Sequence, residues 1–344
     1  MSERVVLSVE GLEVHYKVKV PGQRGKVVAK AVDGIDLVVH AGETLALVGE
    51  SGSGKTSTAN AVMRLIEPAA GRIVFEGVDL VPLRGRTLRG MRPRFQMIFQ
   101  DPFESLDPRR TVLDTVIEPL EINGIGDSSD ERRRLALEAI SQAGLTPPER
   151  MGARYTHQLS GGQRQRVAIA AAMILKPALV VADEPVSMLD VSLRAGILSV
   201  MADMRDRLGA AYLFITHDLS LAWMFADRIA VMYLGRIVEE GSSTELIEAP
   251  VHPYTRALVS VIPVPEASRN AERTVLRGET PNPSSIPTGC RFHTRCPLYR
   301  ELGEPSRCRE EDPILRAAGS DSHRAACHFT SHQESTDLAS PHDE

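Results

Sequence analysis

Residues 4–10, 12–16 and 35–40 alternate apolar and polar side chains, the period of half-exposed antiparallel strands. Residues 20–26, VPGQRGK, read as a polar loop between them. Residues 43–48 are apolar and strand-like, and 57–66 read as a helix that ends before Pro68. A short strand is expected over 72–76 and a buried one over 96–99. Helices are expected over 111–122 and 131–143, the second opening on a capping box of Ser128 and Glu131 and closing near Gly144. A long helical pattern from Gln163 to Leu175 is stopped by Pro177. Residues 178–182 are a continuous apolar run, as suits a central parallel strand covered on both faces. A helix over 193–208, a strand over 211–215 and a hairpin of 228–233 and 236–239 around Gly235 complete this part. Such alternation predicts an α/β core with a mostly parallel sheet, preceded by a smaller antiparallel β subdomain.

After about residue 250 prolines thicken, and the chain reads as an extended, loop-rich appendage. Residues from about 331 are polar and read as a disordered tail. The 344 residues suit about two domains, and 42% hydrophobic with 25% charged residues is ordinary globular composition. A formal net charge of −5 argues against a general nucleic-acid binder. The first residues lack the basic segment and apolar core of a signal peptide, and no apolar run is long enough to span a bilayer. A cytosolic chain is therefore expected, with any membrane role worked through partners. All four cysteines, Cys290, Cys296, Cys308 and Cys327, fall in the appendage. In a reducing compartment such clustering points to a metal site rather than to disulfides.

Three short stretches carry chemistry. Gly49-Glu50-Ser51-Gly52-Ser53-Gly54-Lys55-Thr56, followed by Ser57, fits G-x-x-x-x-G-K-[ST] between a strand and a helix. Its glycines let backbone N–H groups converge on an anion, and the helix adds its positive end. Lys55 supplies a charge for the β- and γ-phosphates, and the Thr56 hydroxyl can ligate Mg²⁺. Asp183-Glu184 closes the apolar strand: one carboxylate can hold Mg²⁺ and the next can polarise an attacking water. Leu159-Ser160-Gly161-Gly162-Gln163 opens the long helix as a second anion site, or as a plain glycine-containing cap.

Taken in chain order, phosphate loop, then Leu159-Ser160-Gly161-Gly162-Gln163, then Asp183-Glu184, the three stretches resemble the nucleotide-binding subunit of ABC transporters over about residues 4–250. Gln100-Asp101-Pro102 resembles that family's Q-loop, Ser187-Met188-Leu189-Asp190 its D-loop and Thr216-His217-Asp218 its switch-histidine loop. Tyr16 resembles the aromatic that stacks on adenine, with His15 the weaker candidate. The resemblance implies that Lys55 and the amides of residues 52–56 hold phosphates, that Thr56, Gln100 and Asp183 organise Mg²⁺, that Glu184 polarises water and that His217 meets the γ-phosphate. It also implies that Ser160, Gly161 and Gly162 face the ATP of a second ATPase subunit. Met188 stands where alanine is common, and no essential position is replaced, so a hydrolytically competent site is expected. A soluble ABC ATPase acting on DNA or ribosomes is the contrasting class; no heptad run separates Lys55 from Ser160, and no second phosphate loop occurs.

The appendage narrows the resemblance. Ala249-Pro250-x-His252-Pro253-Tyr254-Thr255, then Gly289-Cys290-Arg291-Phe292-His293-x-Arg295-Cys296-Pro297 and Ala326-Cys327-His328, are similar to the C-terminal extension of dipeptide and oligopeptide importer ATPases. The resemblance implies an ABC cassette over 1–250, with a helical subdomain near 100–175, an extension over 251–330 and a tail over 331–344. It implies a subunit on the cytoplasmic face of the membrane, working with a second ATPase, two transmembrane permease subunits and an extracellular solute-binding protein, and not with nucleic acid. Nickel or oligosaccharide import stays open beside peptide import. The spacing C-x5-C-x11-C-x18-C is not the paired knuckle of a zinc ribbon. Four thiolates suit zinc or an iron–sulfur cluster, and the resemblance implies a [4Fe-4S] cluster, which similar cysteines hold in some relatives of this group; free thiols in a small core remain open. His293 and His328 are ligand candidates or supporting residues. Residues 103–110 are expected to receive a permease helix, with Phe103 and Leu106 in its pocket or packed internally, and Trp223 is expected in the core.

Overall fold

The computed structural model describes residues 4–19, 25–102, 106–262, 276 and 278–330. The expected loop over 20–26 lies largely outside them, and Phe103 and the tail over 331–344 lie wholly outside.

Two sheets organise these residues. The smaller has the order β2-β1-β4-β5 and is antiparallel, from β1 (Val5–Val18), β2 (Val27–His40), β4 (Ala70–Phe75) and β5 (Val78–Asp79). The two runs expected over 4–10 and 12–16 are one strand, irregular in register near Gly11, whose φ is 55°. The larger sheet has the order β11-β12-β10-β9-β3-β8-β7-β6. Its parallel part is β9 (Arg228–Tyr233), β3 (Thr44–Val48), β8 (Ala211–Thr216), β7 (Leu179–Asp183) and β6 (Phe95–Ile98). Side chains of β3 are buried on both faces: Leu45 and Leu47 face the antiparallel sheet and the Lys55–Val62 helix, whereas Ala46 and Val48 face the helical side. That burial explains the unbroken apolar runs. Register aligns Val48 with Thr216 and Asp183 with Ile215, so three strand ends finish side by side. In open α/β sheets this carboxyl edge is where ligands bind.

The antiparallel end departs from expectation. β10 (Arg236–Ser242) pairs with β12 (Ser320–Ala325), which pairs with β11 (Arg316–Ala318). The C-terminal extension therefore widens the central sheet rather than hanging from it. Its strands escaped the sequence because polar contacts hold them: His323 Nε2 meets Glu239 Oε1 at 2.7 Å, and Arg324 pairs with Glu240. Tyr254, Phe292, Cys296 and Cys308 also belong to the main core.

Other expectations shift for local reasons. The phosphate-loop helix ends at Val62, not Ile66. Arg64 then takes φ 50° and turns inward, where its guanidinium donates to the carbonyls of Leu80 and Val81. β6 is an edge strand, and Phe99 beyond it is 46% exposed. The Ser128 cap is half a box: its hydroxyl accepts from Glu131 N, but the Glu131 carboxylate accepts from Asp127 N. Trp223, expected in the core, is 43% exposed, because the short helix Leu219–Phe225 buries Leu219, Ala222 and Phe225 instead. Leu106 packs into the core beside Val112 and Val116. Among the described residues no helix is long and apolar enough to cross a membrane.

Candidate functional site

The loop after β3 is forced to be glycine-rich. A Cβ on Gly49 would come within 2.2 Å of the Met232 carbonyl oxygen, and one on Gly54, at φ 111°, within 2.1 Å of the Ala31 carbonyl oxygen. Gly52 also has positive φ, and the buried Ser53 closes the turn by donating its N–H to Glu50 O at 3.2 Å. The helix then begins at Lys55, its free N–H groups pointing back into the loop. Lys55 is 4% exposed, and its ammonium donates to Gly49 O at 2.7 Å and Glu50 O at 2.9 Å. Burial pushes the Lys55 pKa down; the carboxylates of Glu184, Asp183 and Glu50 oppose that push.

The neighbouring strand ends supply the rest. Asp183 is 4% exposed, and the Thr56 hydroxyl donates to its Oδ1 at 3.4 Å. Burial raises the Asp183 pKa, with the Glu184 charge adding to the rise. Glu184 leaves the strand at φ 46°, which turns its side chain toward the loop. Its Oε2 accepts from Gln100 Nε2 at 3.3 Å, and its Oε1 lies 3.1 Å from His217 Nδ1. Ala31, residues 50–52 and 54–57, with Gln100, Glu184 and His217, line one open cavity of about 710 Å³. Tyr16 stands at its margin, 39% exposed, its hydroxyl donating to Ser57 Oγ at 3.3 Å. His15 is turned to Glu13 at 3.3 Å.

The Ser160 stretch is not part of that cavity. Ser160 caps the helix Gly161–Met173 in a complete box: its Oγ accepts from Gln163 N at 3.4 Å, and Gln163 Oε1 accepts from Ser160 N at 3.1 Å. Ser160 is exposed, Gly162 buried. Asp190 is also exposed at the start of the helix Val191–Leu208, with Met188 60% and Val191 77% exposed beside it. Thus the loop, Asp183, Glu184, Gln100 and His217 converge, whereas Ser160 and Asp190 are exposed away from that cavity, with Gly161 and Gln163 half-buried and Gly162 buried behind Ser160.

All four cysteines line one enclosed pocket of about 20 Å³, walled by His252, Phe292, Tyr299 and Phe329. Burial pushes the Cys290 and Cys296 thiols up to about 12, and the neighbouring cysteines push the same way. His293 and His328 spend a ring nitrogen each on the carbonyls of Cys290 and Glu311, at 2.8 and 3.0 Å. Among the described residues, only Glu13, His15 and Asp33 bring three candidate ligand atoms within 4.8 Å of one another. No three of the four sulfurs therefore lie within 4.8 Å of one another.

Sequence reasoning missed the partners of Glu50. Its carboxylate is held by Arg295 and Thr280, and its N–H donates to the Tyr254 hydroxyl. No spacing in the chain links residues so far apart; the arginines flanking the cysteines were the only available signal.

A family profile described as ABC transporter matches residues 32–187, and one described as oligopeptide/dipeptide transporter, C-terminal region, matches residues 238–301. A putative peptide import ATP-binding protein of Brucella ovis is 47% identical over 300 residues, covering 87% of this chain and 91% of that one. An oligopeptide transport ATP-binding protein of Bacillus subtilis is 43% identical over 305 residues, covering 88% and 90%. Among solved structures, a cassette from a bacterial ABC transporter in a post-hydrolysis dimer with ADP and Pi is similar with a TM-score of 0.61 and 29% identity, over 69% of this chain and 98% of that one. CbiO1 of Clostridium perfringens, part of the ABC transporter complex CbiONQ, is similar with a TM-score of 0.62 and 27% identity, over 72% and 92%.

Proposed function

Because the chain belongs to the ABC transporter ATP-binding proteins that carry the oligopeptide/dipeptide C-terminal region, we propose that it is the ATP-hydrolysing subunit energising import of di- and oligopeptides through a membrane complex. The observation that carries this reading is the single cavity in which the phosphate loop meets Gln100, Glu184 and His217.

In this reading Tyr16 lies against the adenine, and Lys55 with the amides of residues 52–56 holds the β- and γ-phosphates. Gly49 O and Glu50 O already aim the Lys55 ammonium along the loop. Glu184 takes a proton from the attacking water, and His217 steadies both that carboxylate and the γ-phosphate. Thr56, Gln100 and Asp183 would hold Mg²⁺; the Thr56 hydroxyl beside the buried Asp183 carboxyl offers the oxygen donors a hard cation takes. When bound, Mg²⁺ supplies charge neutralisation at the transferring phosphoryl group.

Ser160, Gly161, Gly162, Gln163 and Asp190 complete the site of a second ATPase subunit, with Ser160 and Asp190 the exposed members. The exposed Met188 and Val191 beside them support a surface that becomes covered. The subunit sits peripherally on the cytoplasmic face of the membrane, with two permease subunits and an extracellular solute-binding protein. Leu106 points into the core, so permease contact falls to other residues after Gln100. Cells that lack this chain lose growth on defined di- and oligopeptides and regain it with the gene. Undiminished peptide growth, with nickel or oligosaccharide uptake lost instead, would overturn the peptide assignment.

The cysteine pocket is read as the seat of a [4Fe-4S] cluster held by Cys290, Cys296, Cys308 and Cys327. Four cysteines on one pocket with an apolar wall support that reading. Its contribution is structural, tying the extension to the core. Protein purified without oxygen is expected to be brown and to carry iron and labile sulfide, both lost in Cys296→Ser. A colourless, iron-free wild type contradicts the cluster.

A further inference from the structure

The second residue of the phosphate loop, Glu50, lines the cavity, yet its carboxylate is taken up by the extension. Arg295 grips Glu50 as a fork, Nη1 to Oε2 at 2.8 Å and Nη2 to Oε1 at 3.2 Å. The Thr280 hydroxyl donates to the same Oε2 and accepts from Arg295 Nη1 at 3.1 Å. The Glu50 N–H donates to Tyr254 Oη at 2.9 Å, and its carbonyl is one of the two that hold Lys55. Side chain and backbone of one loop residue are thus tied to three residues of the extension. Burial disfavours the Glu50 charge, but the Arg295 and Thr280 hydrogen bonds outweigh it and hold the carboxyl below its usual value.

Arg295 is itself fixed. Its side chain is 9% exposed, and its guanidinium lies 5.9 Å from the Tyr233 ring centroid. It stands in a tight turn between two cysteines, where Cys290 N donates to Cys308 O at 2.9 Å and Arg295 N to Phe292 O at 3.0 Å. Phe292, 1% exposed, packs on Tyr233 and Tyr254. A rigid strut therefore runs from the extension to the loop.

We propose that Arg295 is a positioning residue for ATP: through Glu50 it holds the phosphate loop in its receptive shape before the nucleotide arrives. This rests on the reading that the loop binds ATP. Glycine-rich backbone loses much conformational freedom when it orders. A loop already ordered by the extension spares ATP that cost, so the strut acts on affinity rather than on the chemical step. Fork-shaped pairing is specific to arginine, which lysine cannot reproduce.

The test is ATP affinity, by titration of purified chain with a fluorescent ATP analogue, beside kcat and KM in the complete complex. Arg295→Gln and Glu50→Gln each weaken binding about 10-fold while kcat stays within about threefold. The double variant is no weaker than either single one, as expected of one shared interaction. Arg295→Lys recovers only part of the loss. Should Arg295→Gln not fold, Thr280→Val combined with Glu50→Gln runs the same cycle from the other side. Wild type that binds ATP, with variants that bind equally well or whose losses multiply, overturns the strut. Wild type that binds no ATP overturns the nucleotide reading itself.

Discussion

Glu184→Gln lowers steady-state ATP hydrolysis at least about 100-fold and leaves ATP binding within a few-fold of wild type. The amide keeps the shape of the side chain, so the contacts with Gln100 at 3.3 Å and His217 at 3.1 Å persist in some form. What it loses is the ability to accept a proton. The backbone will not move to compensate, because Glu184 N donates to Ile215 O at 2.9 Å and prolongs the β7–β8 pairing by one residue. Lys55 and the loop amides are untouched, so the ground-state complex survives. Phosphate release by the assembled complex, alongside nucleotide titration, separates the two effects. A variant that hydrolyses ATP at the wild-type rate removes Glu184 from the role of general base.

Phe292→Ala destabilises the whole chain by about 3–5 kcal/mol. The ring is 1% exposed and meets Tyr233, Tyr254 and His252 at centroid distances of 5.2, 5.4 and 5.7 Å. Tyr233 closes β9 of the central sheet, so the cavity left by the missing ring opens inside the cassette core, not within an appendage. A fall in thermal midpoint of roughly 4–7 °C is expected for a cost of that size. Ile314→Ala, at a side chain 65% exposed, is the control and stays within about 0.5 kcal/mol of wild type. An unchanged midpoint in Phe292→Ala would mean that the extension is a separate module after all.

The phosphate loop, Asp183-Glu184 and the Ser160 cap were legible because each sits where a strand or helix ends, and local spacing dictates such ends. Gly49 and Gly54 announce themselves since no other residue fits against Met232 and Ala31. The convergence of Gln100, Glu184 and His217 follows once β6, β7 and β8 are recognised as parallel neighbours. The extension was the opaque part. β11 and β12 carry no apolar alternation; they join the sheet through His323–Glu239 and Arg324–Glu240, and charge pairing leaves no period to read. Trp223 misled for the opposite reason, since apolar character alone does not say which face of a short helix is covered. Glu50 fits the phosphate-loop pattern at a position that accepts any residue, so its partners 230 and 245 residues away were invisible.

The most direct test follows hydrolysis and peptide movement together in vesicles that hold the complete complex. Labelled peptide should accumulate on the side where this chain resides, in step with phosphate release from ATP, and both should stop with Glu184→Gln. Peptide accumulation at the wild-type rate in Glu184→Gln vesicles, or ATP hydrolysis that nucleic acid stimulates and peptide does not, would contradict an ATP-driven import subunit.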